Sequence, residues 1–460
     1  MDIRRPSACA LLFSALLALS VARAGPGTRT FSEGGDPAMA ERVRSEFLHA
    51  WKGYQRFAGG HDELKPLTKQ PHDWYGVPLE MTPVDALDTM LLMHLDAEAA
   101  TARELIATKL DFDRDIYVKN FEITIRLLGG LLSSYHLTGD TRLLKLAENL
   151  GDRLLPAFRS PTGMPYMFVN LKTGGVRGAV SNPAEIGTLL LEFGTLSRMT
   201  RKPVYYDKAK RAVVELYRRR SPIGLVGSAI NVETGAWTDA ESHISGGIDS
   251  YYEYLLKSWL LFGDKDCQRM WRASLEALDR YVADDAPTGF WYGHVDMNSG
   301  TRVSRHFGAL DAFFAGELAL ADDLDRARHL EDSSYKMWRR FGVEPEEIDY
   351  QTMRIVSGAY PLRPEIIESA YYLLYFTGDP RYFEMGRAFL ESLLKYCRTE
   401  AGYASLSDVE AKTKADEMPS YFLAETLKYL YLLFSPRDTV DLSKVVFNTE
   451  AHPLPRLPAE

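Results

Sequence analysis

Pro361-Leu362-Arg363-Pro364-Glu365-Ile366-Ile367-Glu368-Ser369 is the stretch on which the reading of the chain turns. It predicts the start of a helix. Pro364 suits the first helical position, where its missing N–H costs nothing. Leu362, Ile366 and Tyr372-Leu373-Leu374 continue an apolar stripe. Glu365 and Glu368 are three apart, so both carboxylates face one way from the first turn. A single acid there is ordinary, because the helix dipole favours negative charge at its N-terminus. The arrangement gains meaning because it recurs.

Phe121-Glu122, Pro183-Ala184-Glu185 and Gly246-Gly247-Ile248-Asp249 each open a helix-like segment with an acid. Met418-Pro419-Ser420, before Phe422 and Glu425, opens another. Between these openings nearly everything reads as helix. Val43, Phe47, Trp51 and Tyr54 keep a period near that of a helix. Thr82-Pro83 predict a further start, with Thr82 as its cap. Strand-like alternation is short, at 165–169 and 292–295. Thr138-Gly139-Asp140, Gly263-Asp264 and Thr377-Gly378-Asp379-Pro380 each close one helix and open the next, and Arg201-Lys202-Pro203 does the same. Hairpins of ~60 residues in a mature chain of ~430 predict about seven repeats. Their long, individual return loops favour a closed barrel over an open solenoid. The expected fold is all-α: an (α/α)7 barrel of two concentric helix rings, with short β-hairpins in the loops. Inner helices of such a barrel start at one mouth, so the five acid-bearing openings would converge there.

The 460-residue chain carries a formal charge of −9, which argues against nucleic acid or an anionic membrane as partner. Its 25 Tyr, 21 Phe and 7 Trp suit stacking on sugar faces. Arg4-Arg5, an apolar run from Ala8 to Val21 and Ala22-Arg23-Ala24 predict a signal peptide over 1–24, leaving 25–460 as a single domain. No later segment is apolar enough to span a membrane, so the expected location is periplasmic or extracellular. Cys267 and Cys397 remain after cleavage, and the sequence leaves open whether they pair.

Converging carboxylates are unfavourable unless a catalytic or cationic use compensates. In a neutral-ligand pocket, paired carboxylates point to glycoside hydrolysis, one protonated toward the leaving oxygen and one ionised. A hard cation such as Ca²⁺, with its taste for many oxygens, is the other use. Zinc, EF-hand, P-loop and serine-hydrolase motifs do not occur.

Six stretches, in order, resemble glycoside hydrolase family 47, the class I α-1,2-mannosidases. They are Thr82–Thr89, Phe121–Gly130, Ser250–Lys257, Leu362–Glu365, Phe422–Tyr429 and Val446–Pro453. The resemblance runs from about Asp73 to Pro455 and is read as that of a bacterial member. It implies an (α/α)7 barrel with the C-terminal segment entering it, and Ca²⁺-dependent, inverting removal of terminal α-1,2-linked mannose by a monomer. Glu122 falls on the family's acid, Glu365 on its general base, Asp249 on a third carboxylate and Glu346 on a fourth catalytic position. Arg126, Arg363, Phe422 and Glu425 would serve substrate binding. Thr449 would bind Ca²⁺ directly, with Glu368, Glu425 and Glu450 acting through water.

Two departures stand out. Ala309-Leu310-Asp311-Ala312-Phe313 lacks the family's sugar-contacting His and its disulfide Cys. Gly247 replaces a bulkier residue, which predicts a more open leaving-group side. A low-activity, quality-control-like mannose-binding module is the alternative reading. A six-hairpin sugar epimerase or glucoamylase-type barrel is a third, opposed by the late Phe447-Asn448-Thr449 segment.

Overall fold

A computed structural model describes residues 35–456. The expected signal peptide lies outside them. Seven inner helices form the barrel wall: Met81–Leu92, residues 120–138, residues 183–200, Asp249–Phe262, Phe313–Leu320, Glu365–Thr377 and residues 422–434. Seven outer helices surround them: Pro37–Ala58, Asp96–Lys109, Thr141–Leu154, Val204–Arg218, residues 265–282, Leu324–Phe341 and residues 381–397. Pro37–Ala58 packs on the last inner helix and closes the ring. The fold is an (α/α)7 barrel, with seven hairpins among the described residues rather than six.

Sequence pattern separates the two rings. Thr141–Leu154 buries Leu143, Ala147, Leu150, Gly151 and Leu154, a single stripe at helical spacing. Asp249–Phe262 buries every residue from Ser250 to Ser258, as a helix packed on all sides must. The joints follow the expected chemistry. Gly139, Gly263 and Gly378 end their helices with φ of 70°, 71° and 66°. Asp140 and Asp264 cap the next helix, accepting from Arg142 N and Cys267 N at 3.1 and 3.0 Å, and Asp379, one residue before the cap Pro380, accepts from Arg381 N at 3.0 Å. Arg201 takes the same left-handed conformation, φ 58°. Asp322-Asp323 forms a joint of this kind that the absence of glycine hid, with Asp322 at φ 68°.

Several local expectations shift. The helix at Thr82 starts at Met81, after Glu80 in the left-handed region. Thr82 is not its cap, since its hydroxyl donates to the Asp62 carbonyl at 2.6 Å. Pro364 is the cap of the helix that starts at Glu365. Among the described residues the loops hold eight small sheets of two or three strands. Strands of two to four residues carry too little alternation to be read reliably. Cys267 and Cys397 are buried free thiols and form no disulfide.

Candidate active site

A cavity of about 260 Å³ opens where the inner helices begin. It lies near the lower end of ordinary small-molecule pockets, roughly 300–1,000 Å³. Glu122, Arg126, Asp249, Arg363, Glu365, Glu368, Glu425, Thr449 and Glu450 all line it. These residues span more than three hundred positions and come from four inner helices, the loop that leads into one of them and the C-terminal hairpin. Two candidates lie elsewhere. Phe422 is wholly buried, its ring 4.7 Å from that of Tyr403, and the neighbouring Tyr421 faces the cavity instead. Glu346 does not line the cavity. It accepts Arg363 Nη2 and Nε at 2.5 and 3.2 Å, a bidentate clamp that aims the guanidinium.

Glu122 and Arg126 sit at i and i+4, and Arg126 donates through Nη2 and Nε to Glu122 Oε2 at 3.0 and 3.1 Å. The helix widens here into a π-turn over Thr124–Leu128, and a second π-turn over Phe422–Thr426 carries Glu425. Such turns often mark functional positions. Arg126 also reaches Glu450 at 2.5 Å, and its guanidinium lies between the Trp74 and Tyr421 rings, 5.3 and 5.5 Å from their centroids. On the other flank Lys119 Nζ stands 2.7 Å from Glu185 Oε1 and 3.5 Å from Glu122 Oε1. Neither Lys119 nor the π-turns carried a signal in the sequence. Trp74 had only its place in a polar, aromatic loop.

The acids that line the cavity outnumber its cations. Burial pushes Asp249 and Glu185 up to about 7, and Glu365 to about 8 despite the opposing Arg363 charge. Burial also raises Glu368 and Glu450 to about 7 and Glu425 well above its ordinary range. Oε2 of Glu365 is buried without a hydrogen-bond partner. Beneath the floor, wholly buried Lys257 meets Glu253, Glu317 and Glu368 at 2.6, 3.3 and 3.7 Å.

Thr449 reaches this ring on the turn between the paired strands Val445–Phe447 and Pro453–Pro455. Asn448 Oδ1 caps the turn, accepting from Glu450 N and His452 N at 3.0 and 2.8 Å. Its amide donates to Ile125 O and Glu192 Oε1 at 2.9 and 2.7 Å. The Tyr254 hydroxyl donates to Glu192 at 2.5 Å and accepts from Thr449 N at 3.4 Å. Gly129-Gly130 make room for the turn. A Cβ on Gly130 would stand 2.8 Å from the Val84 carbonyl and 3.2 Å from His452 Cε1. Gly130→Ala is therefore expected to lower stability by about 1–3 kcal/mol, the usual cost of overpacking. Unchanged thermal unfolding in this variant would show that the close approach is not needed.

The two departures border the same space. Leu310 and Phe313 form part of the wall. Gly247 sits at φ +88°, where a Cβ would come no closer than 3.7 Å to Asn182. Its conformation suits glycine, and the space beside it is open.

The arrangement can do acid–base chemistry on a small neutral ligand, and comparison with known proteins agrees in kind. The model of Glycosyl hydrolase family 47 matches residues 46–456. "Alpha-mannosidase I MNS4" of Arabidopsis thaliana is 40% identical over 97% of this chain and 75% of its own length. "ER degradation-enhancing alpha-mannosidase-like protein 2" of Mus musculus is 39% identical over 91% of this chain and 78% of its own. Both are eukaryotic and lend nothing to the expected bacterial source. The solved structure of the "alpha-1,2-mannosidase from Trichoderma reesei" superposes with a TM-score of 0.85 at 27% identity, covering 92% of this chain and all of that one. An (α/α)7 barrel with acids gathered at one mouth, matched along nearly its whole described length, belongs to glycosyl hydrolase family 47.

Proposed function

We propose that this chain is an exported, monomeric mannosidase that removes terminal α-1,2-linked mannose from high-mannose glycans or mannans, with inversion and with Ca²⁺. The observation that carries this reading is the meeting of Glu122, Asp249 and Glu365 with the Thr449 tip in one cavity. The relatives' printed names support the sugar and the linkage.

Glu122 hands a proton to the leaving oxygen, directly or through one water, while Arg126 and Lys119 hold its two oxygens. Glu365, which burial holds protonated up to about 8 in the metal-free chain, takes a proton from the attacking water on the opposite face of the sugar once it is ionised. Asp249 completes the acid set, and Tyr421 and Phe313 exclude water from the sides. Arg363, clamped by Glu346, keeps positive charge next to Glu365.

The residues fit a hard cation. Thr449 offers hydroxyl and carbonyl oxygens, with Glu368, Glu425 and Glu450 on the same cavity. Among the described residues no group of three or more His, Cys, Asp or Glu is set to grip a metal directly. Thr449 would be the direct ligand, with the acids acting through water. Bound calcium would supply positive charge to the acid ring and bind sugar hydroxyls. Because burial holds Glu368 and Glu450 near 7, protons compete with the metal below that pH. Calcium is therefore expected to raise the unfolding temperature more at pH 8 than at pH 5.5. An equal rise at both would count against these acids.

The deciding test is digestion of a high-mannose glycan with and without EDTA, following the anomer released. Loss of mannose, stopped by chelation, with β-mannose appearing first, is the expected result. α-Mannose as first product would overturn inversion. Tight binding without cleavage would select the mannose-binding module, a reading that the likeness to the ER degradation-enhancing protein keeps in view.

A further inference from the structure

The Asp249 carboxylate enters the cavity from a turn, and one histidine outside the cavity organises that turn. Ser245 O accepts from Ile248 N and Asp249 N at 3.1 and 3.0 Å. Ser245 N in turn donates to His243 Nδ1 at 3.1 Å. The other ring nitrogen is also assigned. Ser228 Oγ gives its own proton to the Glu241 carbonyl at 2.6 Å, so at 3.1 Å from His243 Nε2 it can only accept. His243 therefore carries its proton on Nε2 and offers a lone pair at Nδ1. Both nitrogens are committed, and the protein admits one neutral tautomer.

We propose that His243 is a positioning residue for Asp249: a neutral imidazole locked in one tautomer, whose Nδ1 fixes the Ser245 peptide and through it the turn that aims the carboxylate. This rests on the reading of Asp249 as a catalytic acid. The surroundings agree. His243 is buried and stacks on the His294 ring, centroids 4.4 Å apart and planes 27° off parallel. Burial, with His294 next to it, holds His243 down to about 3, so the ring stays neutral across the working range. His294 turns its Nδ1 to Glu241 at 2.5 Å, and His306, 6.2 Å from His294, turns to Glu347 at 3.2 Å. These acids serve the outer rings and leave His243 to Ser228 and Ser245. The turn is tied on its far side as well, since Gly247 O accepts from Ala184 N at 2.9 Å. A proton on Nδ1 would face the Ser245 N–H, so a cationic ring could not hold this turn.

The experiment compares His243→Phe, His243→Asn and Ser228→Ala in the full chain. Phenylalanine keeps the stack and removes both hydrogen bonds. Asparagine places Oδ1 near the position of Nδ1 and restores the acceptor. Amide hydrogen exchange over residues 244–250 should quicken in His243→Phe and return to wild type in His243→Asn. kcat on an α-1,2-mannobiose should fall about 10- to 100-fold in His243→Phe with KM nearly unchanged, the size of effect that a misplacement of about 1 Å produces. His243→Asn should recover to within about threefold. Ser228→Ala frees the tautomer without touching the stack, and serves if His243→Phe does not fold; it should quicken the same exchange by a smaller factor. Wild-type exchange over 244–250 in both His243→Phe and Ser228→Ala would overturn the proposal, as would an asparagine variant no better than phenylalanine. Quickened exchange in a chain whose wild type cleaves nothing would sink the mannosidase reading and leave the positioning role standing.

Discussion

Glu365→Gln is expected to lower kcat on an α-1,2-mannoside by about 100- to 10,000-fold, the span that a positioned general base contributes. Stability and binding should change little. Glu365 heads an inner helix and keeps one carboxylate oxygen without a protein partner, so an amide of the same shape breaks no ion pair there. Glu122→Gln should cost as much in rate, but with a different signature. Glu122 is one of two close partners of buried Arg126, and its loss leaves the guanidinium to Glu450 and the more distant Asp85. The two roles separate with α-mannosyl fluoride, whose leaving group needs no proton. Glu122→Gln should recover most of its rate on the fluoride. Glu365→Gln should not, but added azide, an attacking group that needs no base, should restore turnover and yield β-mannosyl azide. A Glu365→Gln enzyme with wild-type kcat would remove the base from the mechanism. Recovery on the fluoride by the Glu365 variant instead would exchange the two roles.

The difference between these two glutamates also shows where sequence reading ends. Glu122, Asp249, Glu365 and Glu425 were legible because a helix opening with an acid is a local pattern, and five such openings at hairpin spacing imply a common mouth. Gly139-Asp140 and its counterparts were legible for the same reason: a cap is written in two adjacent residues. Phe422 was misplaced because Tyr421 and Phe422 are equivalent in a linear string, and only the helix rotation decides which one faces the cavity. Glu346, expected among the catalytic acids, does not line the cavity and clamps Arg363, a partner 17 positions away. Lys119 carried no signal, since it precedes the helix that it serves. The π-turns at Thr124–Leu128 and Phe422–Thr426 leave no mark in apolar periodicity. The charge balance was the least legible of all, because each buried cation meets acids from other helices. Arg126 meets Glu450 across 324 positions, and Lys257 meets Glu317 and Glu368 from neighbouring hairpins.

Breaking the buried network behind Thr449 is expected to have the largest effect on stability. His452 Nδ1 lies 2.7 Å from Asp88 Oδ2 and its Nε2 3.4 Å from Asp85 Oδ1. Lys428 Nζ lies 2.7 Å from Asp88 Oδ1 and donates to the Ala451 carbonyl at 2.6 Å. All four side chains are wholly buried. Burial disfavours charge on His452, but Asp88 and Asp85 overcome it and push the imidazole up to about 9. Burial would also raise Asp88, but Lys428 and His452 overcome it and hold the carboxyl at about 2. The raised imidazole stabilises the fold fully below its unfolded value of about 6.5, and that contribution is lost as pH rises through about 9. It is worth on the order of 3 kcal/mol. The depressed carboxyl acts at the other end: its contribution is present above about 4 and lost as pH falls through about 2. The buried glutamates, raised by burial, also lose stability with rising pH, so the informative quantity is the difference between wild type and His452→Gln. That difference should shrink between pH 6.5 and 9.5, and a constant gap across this window would show that the imidazole carries no charge. Lys428→Met, which leaves Asp88 with the imidazole and the Ser133 hydroxyl, should cost about 3–5 kcal/mol at pH 6. The consequence for function follows from position. Ala451 stands at φ +56°, its carbonyl held by Lys428, two residues after Thr449. Loosening that carbonyl frees the turn that carries Thr449, the residue proposed to hold calcium. Lys428→Met should therefore weaken calcium affinity as well as stability, in a variant that touches neither the cavity nor any acid lining it. Wild-type calcium affinity in a folded Lys428→Met chain would show that Asn448 and Tyr254 hold the tip unaided.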